Sequence, residues 1–196
     1  MIALDFWYEF ASSYSYPAAM RIADVAAARG VTVTWRPFLL GPIFAAQGWR
    51  DSPFNIYPAK GRYMWRDLAR IAARERLAFK RPSRFPRHTL AAARVALVGV
   101  GQGWVADFSR RVYAANFAED REISEPAVLA EILTELGLDA NAILEQSRAP
   151  DNKTALRDQI TEAETLGIFG APSFTVGQEL FWGNDRLEEA VDFASG

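Results

Sequence analysis

Strand-like runs occur only at the two ends of this chain, and that placement constrains its fold more than any other feature. The first, "IALDFWYEF" from Ile2 to Phe10, is short, aromatic and apolar, the pattern of a buried strand. "SYSYPAAMRIADVAAARG" follows and reads as a helix. Pro17 suits its first turn, Gly30 suits its end, and Met20, Ala23 and Ala27 share one face. "VTVTWRPF" then alternates as a second strand from Val31 to about Trp35. Strand, helix and strand in that order form a βαβ unit whose strands run parallel.

From Gly41 to about Gly167 no strand signal is present. The stretch "GPIFAAQGWRDSPFNIYPAK" reads as a loop, and "RYMWRDLARIAARERL" as a helix with Met64, Leu68 and Ile71 in an apolar stripe. After the proline-rich "RPSRFPR", the runs "TLAAARVALVG" and "WVADFSRRVYAANFAED" read as two further helices. Ser124 is placed to cap the next helix, with Pro126 in its first turn, and Asp139 and Asp151 to cap two more. The end returns to strands: "PSFTV" and "ELFWG" flank Gly177–Gln178 as an antiparallel hairpin. "NDRLEEAVDFA" closes the chain as a helix, with Asp185 and Glu188 at capping-box spacing. The order is that of an α/β, thioredoxin-like fold with a large all-helical insertion between its βαβ and ββα halves. Residues 1–38 and 168–196 make the thioredoxin-like domain, and 39–167 the insertion.

Composition narrows the function. The 196 residues, 50% hydrophobic and 23% charged, suit one globular unit. A formal charge of -2 offers no global attraction to nucleic acid. The first strand starts directly after Met1, leaving no room for a signal peptide, and no apolar run approaches the roughly 18 residues of a membrane span. A cytoplasmic protein that binds neither nucleic acid nor membrane is expected. There is no cysteine, which excludes disulfides, thiol redox catalysis and thiolate metal ligands. With one histidine as well, no metal site is expected.

In a thioredoxin-like arrangement the loop "FGAPSF" places the Ala171–Pro172 bond before the third strand, as a cis bond or as an ordinary trans proline at a strand edge. A cis turn there would leave the N–H and C=O of Ala171 facing outward to pair with an extended peptide. Opposite lies "ASSYSYP", where a redox relative carries two cysteines and this chain has Ser12, Ser13 and Ser15. Ser13 or Ser15 reads as a helix cap, whereas Ser12, at the strand's exit, reads as functional.

"DFWYEFASSYSYPAA", "NIYPAKGRYMWRDLARIA", "FGAPSF" and "FWGNDRLEEAV" together resemble the 2-hydroxychromene-2-carboxylate isomerases, relatives of kappa-class glutathione transferases. Members often have Ser-Pro where this chain has Ser12–Ser13. The resemblance implies glutathione as cofactor, its cysteinyl backbone on Ala171 beside Pro172. It puts the γ-glutamyl end at Trp182, Gly183, Asn184 and Asp185, where a helix N-terminus favours a carboxylate. Asp185 would meet the γ-glutamyl ammonium, cap the helix, or do both. Ser12 would stabilise the glutathione thiolate. The implied reaction interconverts 2-hydroxychromene-2-carboxylate and trans-o-hydroxybenzylidenepyruvate, in a protein that forms a homodimer. For the small aromatic carboxylate substrate, Asn55, Lys60 and Arg84 are the implied polar contacts. Phe38 and Phe44 are candidate apolar walls, or simply core.

From Lys60 to Arg87 there are ten Lys or Arg against two acidic residues, which reads mainly as a solvated basic face. His88 reads as a surface or capping residue, and no GxSxG elbow supports a serine hydrolase. A kappa-like transferase and a non-catalytic glutathione- or peptide-binding module remain open beside the isomerase.

Overall fold

The computed structural model describes residues 3–196, so the Ile2 start of the expected first strand lies outside the described residues. β1 (Ala3–Tyr8) is buried on both faces from Phe6 to Tyr8, which is why its sequence runs aromatic without alternating. It pairs in parallel with β2 (Thr32–Pro37), Phe6 opposite Trp35. On its other side it pairs antiparallel with β3 (Ser173–Val176), Phe6 opposite Phe174. β4 (Glu179–Trp182) completes the hairpin with β3 at the sheet's edge. The four strands lie in the order β2-β1-β3-β4, the mixed sheet of a thioredoxin-like fold.

The helix that crosses between β1 and β2 is α1 (Ser15–Ala27). It buries Ala18, Ala19, Ile22 and Ala26 rather than the expected Met20–Ala23–Ala27 face, and Ala27 is exposed. The small side chains let α1 approach its neighbours closely, and Ile22 fills the space left between them. Between the sheet halves run α2 (Leu40–Ala46), α3 (Pro53–Ile56), α4 (Pro58–Arg74), α5 (Leu90–Gln102), α6 (Val105–Phe117), α7 (Pro126–Glu135), α8 (Ala140–Arg148) and α9 (Pro150–Thr165).

The expected loop 41–60 thus contains two short helices and the start of a third. Ser52 accepts from the Phe54 N–H at 3.3 Å to start α3, and prolines occupy the first turns of α3 and α4. Met64, Leu68 and Ile71 are buried along α4, as their spacing requires. Asp139 caps α8 by accepting from the Ala142 N–H at 3.1 Å. Ser124 does not cap α7: its hydroxyl donates to Glu122 Oε1 at 2.8 Å, and the helix starts beyond it at Pro126. Asp151 lies inside the first turn of α9, because Pro150 already begins that helix.

Two apolar clusters join the sheet to the helices, a smaller one around Trp7, Phe38 and Ile43 and a larger one around Phe6. Phe6 stacks on Tyr8 and Phe174 at 5.0 and 5.5 Å and meets Trp35 edge-on at 5.1 Å. The larger cluster continues through Phe10 and Tyr113 to Phe108, Leu129 and Ile132 in the helical segment. The last helix, α10 (Leu187–Ser195), buries Leu187, Ala190, Val191 and Ala194 in the same cluster. No helix among the described residues is long and apolar enough to cross a membrane.

Phe6 stands where three strands and the aromatic stack meet. Phe6→Ala is expected to lower the unfolding free energy by about 3–5 kcal/mol, read from urea unfolding with an unchanged denaturant slope.

Candidate functional site

β1 leaves the sheet at Tyr8 and turns into α1 through Glu9, Phe10, Ala11 and Ser12. The turn is closed by the Ser12 N–H donating to the Glu9 carbonyl at 2.9 Å. Its outer side carries the Ser12 hydroxyl. That hydroxyl donates to the Ala171 carbonyl at 2.8 Å and accepts from the Ser15 N–H at 3.2 Å. Ser12 therefore satisfies the first N–H of α1, a cap role that the sequence assigns to Ser13 or Ser15. Ser13 turns inward instead and donates to the Met64 sulfur at 3.0 Å.

The Ala171–Pro172 bond is cis, as is Phe85–Pro86. The Ala171 N–H has no acceptor among the described residues, whereas its carbonyl is taken by Ser12, so the loop is open to a pairing backbone on one side only. A carbonyl oxygen has a second lone pair, so the Ser12 bond does not prevent another donor from approaching. The Pro172 carbonyl accepts from the Gly183 N–H at 3.0 Å, tying this loop to the end of β4. Gly170 lets the Trp182 ring lie across the loop, since a Cβ would fall 2.4 Å from Trp182 Nε1 and displace it. At Gly183 φ is +115°, and a Cβ would meet Asp185 Oδ1 at 2.5 Å.

These two loops form one end of a cleft of about 1820 Å³ that runs between the sheet and α2–α4. Phe44 and Trp49 tilt together at 5.5 Å on one wall, and the exposed pair Phe169–Trp182, at 4.9 Å, stands at the other end. Tyr14 donates to Asp67 Oδ2 at 3.0 Å and tilts against Phe54 at 6.1 Å. Gly61 lets α3 lie against α4, since a Cβ would reach within 2.2 Å of the Phe54 carbonyl oxygen. Cations on the lining include Arg50, Lys60, Arg74 and Arg186.

Most of the expected residues meet here. Ser12, Ala171, Trp182, Gly183, Asn184 and Asp185 line one end of the cleft, and Pro172 lies buried behind them. Lys60 and Phe44 line the opposite wall, the Lys60 ammonium 4.9 Å over the Tyr57 ring. Three residues do not reach the lining. Phe38 is 1% exposed and packs edge-on against Trp7 at 6.1 Å, as core. Arg84 faces away, its side chain 71% exposed and 3.7 Å from Glu122. Asn55 spends its amide on Asp51 and on the Phe85 carbonyl at 3.2 Å, joining α3 to the proline-rich segment.

At the other end, Asn184–Arg186 forms a 3-10 turn, so α10 begins only at Leu187. Asp185 therefore makes no capping bond; its side chain is 79% exposed with Arg186 at 3.9 Å. Glu188 does not reach back to it, because Arg21 on α1 holds the Glu188 carboxylate at 2.5 Å. Arg21 also donates to Asn184 Oδ1 at 3.1 Å, leaving the amide NH2 of buried Asn184 as its donor end.

Glu9 is the chief residue that sequence reasoning passes over. It is 6% exposed on the cleft floor, and burial pushes its carboxyl up to about 7, against bonds from Thr89, Ala11 and Ser12 that pull it down. The signal was present: an acid inside the aromatic run "FWYEF". His88 is exposed, as expected, and lines the same cleft.

This fold and cleft define a class. Residues 3–193 match the DSBA-like thioredoxin domain, and the chain belongs to that family. Within it, the chain is 31% identical over 186 residues to the 2-hydroxychromene-2-carboxylate isomerase of Sphingobium xenophagum, covering 94% of each protein. It is 26% identical over 203 residues to glutathione S-transferase kappa 1 of Caenorhabditis elegans, covering 96% of this chain and 89% of that one. Its fold matches a solved structure of 2-hydroxychromene-2-carboxylate isomerase with a TM-score of 0.88 at 22% identity, over 98% of this chain and 94% of the other. The chain is an enzyme of the 2-hydroxychromene-2-carboxylate isomerase family.

One ion pair beneath the cleft supports its floor. Arg87, its side chain 2% exposed, donates to Asp120 Oδ1 at 2.6 Å and to Asn116 Oδ1 at 2.7 Å. Asn116 in turn donates to the Phe10 carbonyl at 3.0 Å, inside the turn that carries Ser12. The Ser83 N–H, and after it Arg87, hold the Asp120 carboxyl well below its ordinary 3.8. A lowered folded-state value means stability that is present above about pH 4 and lost as pH falls further. Asn suits the left-handed φ of +60° at this position. Asp120→Asn is therefore expected to lower the melting temperature at pH 7, with the gap to wild type closing as pH falls below about 4. Calorimetric scans across pH measure both trends.

Proposed function

We propose that this enzyme interconverts 2-hydroxychromene-2-carboxylate and trans-o-hydroxybenzylidenepyruvate, with glutathione supplying the thiol. The observation that carries the reading is the Ser12 hydroxyl, 2.8 Å from the Ala171 carbonyl on the cleft surface of a chain without cysteine. The relatives' names support 2-hydroxychromene-2-carboxylate as the compound isomerised and glutathione as the thiol.

The donor set suits an extended tripeptide. The open Ala171 N–H and the second lone pair of its carbonyl offer strand-like pairing. The Asn184 amide NH2 and the adjoining helix start favour a carboxylate, and the exposed Asp185 carboxylate favours an ammonium. Trp182, 52% exposed beside Phe169, is a flat apolar cover for what lies between. When bound, glutathione supplies a thiolate that can add to a conjugated double bond, allow rotation, and leave.

The residues of the chain keep that sulfur anionic and hold the substrate beside it. A free cysteine thiol has a pKa near 8.5, and lowering it by about two units takes roughly 2.7 kcal/mol. A hydroxyl donor at the positive end of α1 is a source of that order. The Ser12 hydroxyl has one proton, now given to Ala171, so donation to sulfur requires releasing that carbonyl. The Ser15 N–H stays on the oxygen and makes the hydroxyl a better donor. The Phe44–Trp49 wall suits a flat aromatic ring, and Lys60 suits its carboxylate. On this reading the enzyme acts in the cytoplasm as a homodimer.

Ser12→Ala is expected to keep glutathione uptake, raise the bound thiol's pKa by about one to two units, and slow isomerisation by roughly 10- to 100-fold. Ultraviolet thiolate absorbance against pH reads the first change; an unaltered titration would remove Ser12 from the role. Turnover of 2-hydroxychromene-2-carboxylate undiminished without glutathione would sink the thiol mechanism. Accumulation of a stable conjugate would mark a transferase instead.

A further inference from the structure

Glu9 is held more firmly than a structural acid requires. Its Oε2 accepts from the Ala11 N–H at 2.8 Å, and its Oε1 is engaged by the Thr89 hydroxyl at the start of α5. Its main-chain carbonyl accepts from the Ser12 N–H at 2.9 Å and the Tyr113 hydroxyl at 2.8 Å. Side chain and backbone of one residue thus grip the turn that carries Ser12, on the floor of the cleft. Among the described residues no cation pairs with this carboxyl.

A glutamine could serve the same two partners, accepting from Ala11 with its oxygen and donating to Thr89 with its nitrogen. It would do so without the cost of a buried ionisable group. An acid at this point calls for a role that depends on being an acid.

We propose that Glu9 is a positioning residue for Ser12, gripping the β1–α1 turn through Ala11 and Thr89 with a strength that depends on its own protonation. The proposal rests on the glutathione-dependent reading for its catalytic consequence, though not for the clamp itself. An ionised carboxylate binds the Ala11 N–H more strongly than a neutral acid, since charge-assisted bonds are roughly twice as strong. It also puts a negative charge beside the place where a thiolate must form, which opposes that ionisation. Burial pushes the group up to about 7, so both states are populated near neutrality. The titratable groups around it are Tyr8 on its own strand, Tyr113 on α6, and Arg87 and His88 on the segment leading to Thr89. Arg87 is committed to Asp120 and Glu122.

The test uses the full chain with and without glutathione. Without ligand, the Ala11 and Ser12 amide resonances of the wild type should shift with a midpoint near pH 7, and those of Glu9→Gln should not. With glutathione and substrate, Glu9→Ala should lower kcat about tenfold or more while KM for glutathione moves less than about threefold. Glu9→Gln should recover most of that loss at neutral pH but lack the inflection near 7 in the wild-type pH profile. Amides that do not titrate in the wild type overturn the clamp, whether or not Glu9→Ala folds. A Glu9→Ala protein that loses only thermal stability, with kcat and thiol titration unaltered, overturns the positioning role. A wild type that takes up no glutathione while its Ala11 amide still titrates leaves the clamp standing and removes the thiol reading instead.

Discussion

The Ser12 hydroxyl joins two parts of the chain separated by nearly the whole sequence. It receives the first N–H of α1 and gives its own proton to the carbonyl before the second cis proline, tying the helix start to the loop. That bond marks where the site's groups meet. The helix dipole, a hydroxyl and an open backbone N–H converge at one end of a cleft, without any thiol from the protein.

Around this bond the sheet and helices divide the work. The strands bring the Ser12 turn and the Ala171 loop side by side, because β1 and β3 are neighbours in the sheet. The inserted helices supply the opposite wall, with Phe44, Trp49, Phe54 and Lys60, and hold the turn from behind through Tyr113, Asn116 and Thr89. β1 packs into two apolar clusters, one shared with helices α4 to α8 and one, around Trp7, shared with α2 and α9, so the sheet supports the helical wall through both.

Polar groups near the cleft fall into two kinds. Arg87 with Asp120, and Arg21 with Glu188, are paired charges, and each arginine also orients an asparagine, Asn116 and Asn184. Glu9 is the exception, a buried acid with hydrogen bonds but no counter-ion among the described residues. Burial moves the Glu9 carboxyl up toward neutrality, whereas the Ser83 N–H and Arg87 move the Asp120 carboxyl down.

Much of this was legible in the chain itself. Strand and helix order, the Gly177–Gln178 hairpin, the Met64–Leu68–Ile71 stripe and the Asp139 cap are local matters of periodicity and turn chemistry, which neighbouring residues settle among themselves. The lack of cysteine was plain from composition, and the meeting of Ser12 with the Ala171–Pro172 loop at one end of the sheet followed from that order. Other features depended on atoms distant in sequence. Whether Phe38 faced a ligand or Trp7, whether Arg84 reached the cleft or Glu122, and which side of α1 was buried could be settled only by what packs against each. The role of Glu9 belongs with these: its surroundings come from Thr89 and Tyr113, some 80 and 104 residues away. Short-range patterning determines which elements exist; only close packing across the folded chain decides which side chains a cleft receives and how strongly their protons are held.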